Sequence, residues 1–137
     1  MSGVLGSHSK KCILAVDDTA IVLTRISDAL RNDYEVITAN SGVRALKCLK
    51  ERKPDLILLD IQMGPMDGIE TLQEIRGRKD LEDIPVIMLT GVEDKEIVME
   101  SARLGICDYI LKPFASGELL RRIRRAFELE RRKQAEG

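Results

Sequence analysis

The sequence predicts a doubly wound α/β sandwich, a parallel five-stranded sheet covered by helices on both faces. Three observations carry this. Short apolar runs alternate five times with segments of helical periodicity. Runs that are apolar throughout, as at residues 12–16 and 56–59, are expected of strands buried on both faces. Each is followed by a stretch long enough for the helical return that a parallel crossover requires.

The elements follow in order. Residues 12–16 form an apolar run that stops at Asp17-Asp18. Val22, Ile26, Ala29 and Leu30 then make the stripe of a first helix. Residues 34–39 read as a second strand, and Asn40-Ser41 as the cap of a helix bearing Ala45, Leu46 and Leu49. Leu56 to Leu59 is a third strand ending at Asp60, followed by the turn-rich stretch Gly64-Pro65-Met66-Asp67-Gly68. Ile69, Leu72 and Ile75 line the third helix. Residues 85–89 form the fourth strand, ending at Thr90-Gly91. Ile97, Val98 and Ala102 mark the fourth helix, which Gly105 should stop. Residues 106–111 are the fifth strand, ending at Lys112-Pro113. Ser116 is placed to cap a last helix with Leu119, Leu120, Ile123 and Phe127 inward.

The chain of 137 residues is sized for one domain. Residues 1–10 read as a flexible N-terminal segment, 11–128 as the folded domain, and 129–137 as a polar tail, a frayed helix or the start of a linker. Balanced charge, with 22 basic and 23 acidic residues, gives no reason to expect broad nucleic-acid or membrane binding. No stretch has the length of a membrane span, and the N-terminus lacks the apolar core of a signal peptide. Cys12, Cys48 and Cys107 have no metal-ligand spacing and read as free thiols in a reducing compartment, which points to the cytoplasm. The lone histidine, His8, argues against a histidine-based metal site or a Ser/His triad.

Asp17, Asp18, Asp60, Thr90 and Lys112 each end or directly follow an apolar strand. In a parallel sheet these positions converge on the rim where ligands bind. Clustered carboxylates either raise a carboxyl pKa or recruit a cation, and an oxygen-only ligand set suits Mg2+. Lys112 adds a positive charge for a phosphoryl oxygen, Thr90 adds a hydroxyl donor, and Gly91 leaves room for close backbone approach. A carboxylate nucleophile with these neighbours can accept a phosphoryl group. Taken singly, each has a plainer reading. The Asp pair could cap a helix, Thr90-Gly91 could be turn chemistry, Lys112 a solvated side chain and Tyr109 a packed aromatic. Their joint occurrence at four strand ends favours the site.

Asp17-Asp18, Asp60, Thr90 and Lys112-Pro113, five separated signals in order, resemble the CheY-like receiver domains of two-component response regulators, over residues 11–125. The resemblance implies a flavodoxin-like (βα)5 fold with strand order 2-1-3-4-5. It implies that Asp60 is the phosphoacceptor, taking a phosphoryl group from a phosphohistidine on a histidine kinase or histidine phosphotransfer protein. Asp18 would bind Mg2+ directly, Asp17 mainly through water, and Gln62 through its backbone carbonyl. Lys112 would pair with the acidic site and then with the phosphoryl group. Thr90 and Tyr109 would be the switch pair, and Lys112-Pro113 a cis peptide. The signalling surface would be the fourth helix, fifth strand and fifth helix, meeting a downstream effector or a second copy on phosphorylation. One departure is visible: Gly64 stands where the family usually has proline, and Pro65 comes next.

Other functions fit less well. A phosphatase with an aspartate nucleophile needs a second acid two residues on, where Gln62 stands. A flavin carrier needs a hydroxyl-rich phosphate loop where Asp17-Asp18 stands. A phosphorylation-independent interaction module would not need the acidic set. The basic run at residues 121–125 is flanked by Glu118, Glu128 and Glu130 and reads as a solvated or partner-facing helix face, not a nucleic-acid surface. The 137 residues carry no output domain, so the chain is expected to be a stand-alone regulator or a piece of a longer one. Gln62 and Val92 flank the site and would tune the lifetime of the phosphoryl group.

Overall fold

The computed structural model describes residues 10–91 and 94–136; His8 and Val92 lie outside the described residues. Five strands, β1 (Cys12–Val16), β2 (Glu35–Ala39), β3 (Leu56–Asp60), β4 (Val86–Thr90) and β5 (Asp108–Leu111), alternate with five helices. These are α1 (Ala20–Leu30), α2 (Gly42–Glu51), α3 (Gly68–Arg76), α4 (Lys95–Leu104) and α5 (Ser116–Glu136). All neighbouring strands are parallel, in the order β2-β1-β3-β4-β5.

The sheet separates two apolar layers. Leu14, Val16, Ile57, Leu59, Val86 and Met88 point to the face covered by α2, α3 and α4, where Leu49, Leu72 and Ile75 meet them. Ile13, Ala15, Leu56, Leu58, Ile87 and Leu89 point to the other face, against Ile26 and Leu30 of α1 and Leu119 and Ile123 of α5. The three inner strands are buried along their whole length. The edge strands β2 and β5 are not, since each has a neighbour on one side only. Uniform burial thus holds for the middle of the sheet alone.

Local signals account for most helix ends. Ser41 caps α2, its hydroxyl accepting from the Arg44 amide at 3.1 Å. Asp67 and Glu70 form a capping box at α3: Glu70 N–H donates to the Asp67 carboxylate at 2.8 Å, and Asp67 N–H to the Glu70 carboxylate at 3.1 Å. Asp94 caps α4, and Gly105 ends it at φ 96°, a conformation that favours glycine. Ser116 is the first helical residue of α5, so it lies one position inside the cap; the first bond runs from Leu119 N–H to the Ala115 carbonyl. α5 continues unbroken to Glu136, although its last buried residue is Ala126. The three cysteines are free.

The loop after β3 is pinned by a close approach. Gly68 N–H donates to the Ile61 carbonyl at 2.9 Å, and a Cβ on Gly68 would collide with the Asp60 carbonyl and lie 2.7 Å from Ile61 Cα. Gly64, in the same loop, has nothing within 4 Å of its would-be Cβ. Gly68→Ala is therefore expected to cost about 2 kcal/mol or more, and Gly64→Ala less than about 0.5. Urea unfolding midpoints check the contrast, and equal effects would contradict this packing.

Candidate functional site

The strand order brings the ends of β1 and β3 side by side at the middle of the sheet, with β4 and β5 to one side. Asp17 follows β1 and is fully buried. Its carboxylate accepts from the Thr19 amide at 2.9 Å through one oxygen and from Lys112 Nζ at 2.6 Å through the other. It is not a helix cap, because Thr19 occupies that position and makes no side-chain cap bond. Asp18 is exposed. Asp60 closes β3 at 1% exposure and accepts from Lys112 Nζ at 3.2 Å and, weakly, from the Gln62 amide at 3.4 Å.

Carboxylate oxygens of Asp17, Asp18 and Asp60 all lie within 4.8 Å of one another. Burial, and then the charge of Asp17, push the Asp60 carboxyl up to about 6, against the opposing pull of Lys112. Burial disfavours charge on Lys112, but its hydrogen bond to Asp17 and the charges of both aspartates hold its pKa above the ordinary lysine value. One ammonium thus meets two of the three clustered carboxylates. Such a set, all oxygen and short of positive charge, fits a small hard cation.

Thr90 ends β4 at 1% exposure, and its carbonyl accepts from the Lys112 amide at 2.6 Å. That bond continues the β4–β5 ladder one residue past β5 and sets where the Lys112 side chain starts. Tyr109 lies opposite Met88 in the ladder, half-buried against the layer beneath α4. Thr90 and Tyr109 therefore project from the same face of the sheet. Lys112-Pro113 is cis. The Gln62 side chain lies beside Gly91, whose would-be Cβ would sit 3.6 Å from Gln62 Oε1, an ordinary contact. The space at Gly91 is thus not tight enough to require glycine.

The basic run on α5 is tied into its own domain in part. Arg122 bonds Asp108 at 2.6 Å and lies 3.5 Å from Glu118, and Arg124 lies 3.5 Å from Asp33. No described helix is long and apolar enough to cross a membrane. Two arginine contacts had no sequence signal, because each joins distant segments. Arg25 of α1 meets Phe114. Arg76 of α3 donates to the carbonyl of Gly105, at 3.1 and 2.8 Å, and to that of Glu82, at 2.9 Å.

The response regulator receiver domain family matches residues 13–124. Among curated proteins, the alkaline phosphatase synthesis transcriptional regulatory protein PhoP of Bacillus subtilis is 38% identical over 115 residues, 83% of this chain and 47% of the relative. Among solved structures, the Vibrio cholerae chemotaxis protein CheY4 matches with a TM-score of 0.83 at 30% identity, covering 86% of this chain and 99% of that one. The phosphorylated cyanobacterial phytochrome response regulator RcpA matches with a TM-score of 0.75 at 31% identity, covering 82% and 88%. The chain spans between 8% and 47% of the length of three curated relatives it matches.

A stability test follows from the raised Asp60 pKa. A carboxyl raised from 3.8 to about 6 binds its proton more tightly in the folded state than in the unfolded one. The stability this contributes is present below about pH 4 and is lost as the pH rises through 6. In metal-free buffer, Asp60→Asn should flatten that fall and stabilise the protein by about 2 kcal/mol at pH 7. Urea unfolding across pH 4–8 measures it; an unchanged or less stable variant at pH 7 would contradict the charge distribution described.

Proposed function

The chain belongs to the response regulator receiver domain family, and from that premise we propose that its phosphoacceptor is Asp60, supplied by a phosphohistidine on a histidine kinase or histidine phosphotransfer protein. The observation that carries this reading is the buried Asp60 carboxylate, 3.2 Å from Lys112 Nζ and clustered with Asp17 and Asp18.

The transfer step balances simply. A carboxylate oxygen of Asp60 attacks the phosphorus and an O–P bond forms. The P–N bond breaks, the imidazole nitrogen keeps the electron pair, and it later takes a proton from solvent. Burial and the neighbouring acids make the Asp60 charge costly, so a neighbouring positive charge both keeps it ionised and stabilises the phosphoryl oxygens. Asp17, Asp18, Asp60 and the Gln62 backbone carbonyl would hold Mg2+, which supplies that positive charge when bound. Lys112 pairs with Asp17 and Asp60 first and then meets a phosphoryl oxygen. Thr90 offers its hydroxyl to another.

The acyl phosphate of Asp60 would then bias the domain toward an active arrangement through Thr90 and Tyr109, changing the surface of α4, β5 and α5 for an effector or a second copy. The packing supports movement there. Ser101 is the one buried residue of α4, which makes it the most lightly anchored helix of the five. The receiver unit would comprise residues 11–128, in keeping with the end of α5 burial at Ala126.

Incubation with a small phosphodonor and Mg2+ should add one phosphoryl group, seen by intact mass. Asp60→Asn should stay unmodified, and chelation of the metal should stop labelling while the circular dichroism spectrum keeps its folded form. An unmodified wild-type chain, or labelling of Asp60→Asn to the same extent, would refute the assignment. Lys112→Ala should slow labelling by about tenfold or more, the usual scale for removing one transition-state charge partner.

A further inference from the structure

The position of Lys112 needs an explanation that the sheet alone does not supply. Its amide is held by the Thr90 carbonyl, but the chain leaves the sheet at once, through Pro113 to Phe114. Phe114 is 5% exposed and sits in the layer between the sheet and α1 and α5. Arg25, on the second turn of α1, donates from Nη2 to the Phe114 carbonyl at 3.2 Å, joining residues 89 apart in the chain. Its Cζ stands 5.6 Å from the centre of the Phe114 ring. A guanidinium can bond and stack at once because it is planar, whereas an ammonium is a point charge.

α1 begins just behind Asp17 and Asp18. One helix therefore carries the end that presents two carboxylates and the arginine that fastens the segment after Lys112. Arg25 closes a loop of contacts: α1 to Phe114, Phe114 to Lys112 along the chain, and Lys112 Nζ back to Asp17 at 2.6 Å and Asp60 at 3.2 Å.

We propose that Arg25 is a positioning residue for phosphoryl transfer, holding residues 112–114 against α1 so that the Lys112 ammonium stays between Asp17 and Asp60. The inference rests on the phosphoacceptor reading of Asp60 and adds a residue that touches neither the phosphoryl group nor a metal ligand. Without Arg25, the lysine keeps its charge and its amide bond to Thr90, but the chain directly after it is no longer held against α1. The cost then falls on the rate of transfer, since small misplacements of a charged partner are expensive in the transition state.

The experiment is a double-mutant cycle on the full chain, with Arg25→Met and Lys112→Ala made singly and together. Arg25 is exposed and α1 keeps its buried Ile26 and Leu30, so the variants should fold. With a small phosphodonor and Mg2+, Arg25→Met should slow labelling of Asp60 about fivefold, with Mg2+ affinity by calorimetry unchanged. In the Lys112→Ala background the same substitution should have no further effect. Arg25→Lys, which keeps a donor for the Phe114 carbonyl, should recover part of the rate. A full loss in the Lys112→Ala background, or no loss in the single variant, would overturn the proposal. The Lys112 side-chain ammonium resonance gives a readout that does not depend on labelling. It should shift in Arg25→Met, and an unmoved resonance would also overturn it. Absence of labelling in the wild type sinks the phosphoacceptor reading instead, and the resonance still decides the role of Arg25.

Discussion

The structure is organised around one electrostatic problem: an ammonium group shared between two buried carboxylates at the carboxyl end of a parallel sheet. Asp17 and Asp60 are both withdrawn from solvent, and Lys112 reaches both. Removing water from like charges is costly, and a lysine alone does not neutralise a cluster of three acids. The fold tolerates this because strong apolar packing lies directly beneath. Leu58, Leu59 and Leu89 are fully buried on either side of the rim. Under the proposed function, the same arrangement that is unfavourable in the resting protein is what would make a metal and a phosphoryl group welcome.

Much of this was legible in the sequence, for a physical reason. A strand buried on both faces has to be apolar along its length, so the polar residue that ends it stands out. Asp17, Asp60, Thr90 and Lys112 were found that way, and parallel topology does the rest by gathering strand ends on one rim. The cap Ser41 obeys a rule confined to four consecutive residues, so it too leaves a trace; Asp67, in the spacing of a capping box with Glu70, and Asp94 were caps the structure added. Edge strands were harder. Residues 106–111 read as one strand, but β5 begins only at Asp108, although the Cys107 amide still bonds the Val86 carbonyl at 2.9 Å. Arg25 and Arg76 left no trace. An arginine that meets a main-chain carbonyl far away in sequence has no partner residue type to reveal it.

The two sheet faces divide the labour. The layer beneath α1 and α5 holds the end of β1, before Asp17, and Phe114, beyond Lys112. In the layer beneath α4, Ile97, Leu104 and Tyr109 are only partly buried. Arg76 secures the far end of α4 at Gly105, so that end is tied while the Asp94 end, nearer the site, depends on a cap. In the proposed function, rigid support would sit where atoms must be aligned, and the lightly anchored α4 where a surface would respond.

The half-buried outer strands have a consequence for how copies of this protein can meet. Each begins with an acid held by an arginine: Glu35 with Arg52 at 2.5 Å on β2, and Asp108 with Arg122 at 2.6 Å on β5. A foreign strand approaching either margin would have to strip water from these charges before gaining a single main-chain bond, a known deterrent to sheet extension and fibre growth. Both margins of the sheet are thereby guarded against strand-by-strand growth from one copy to the next.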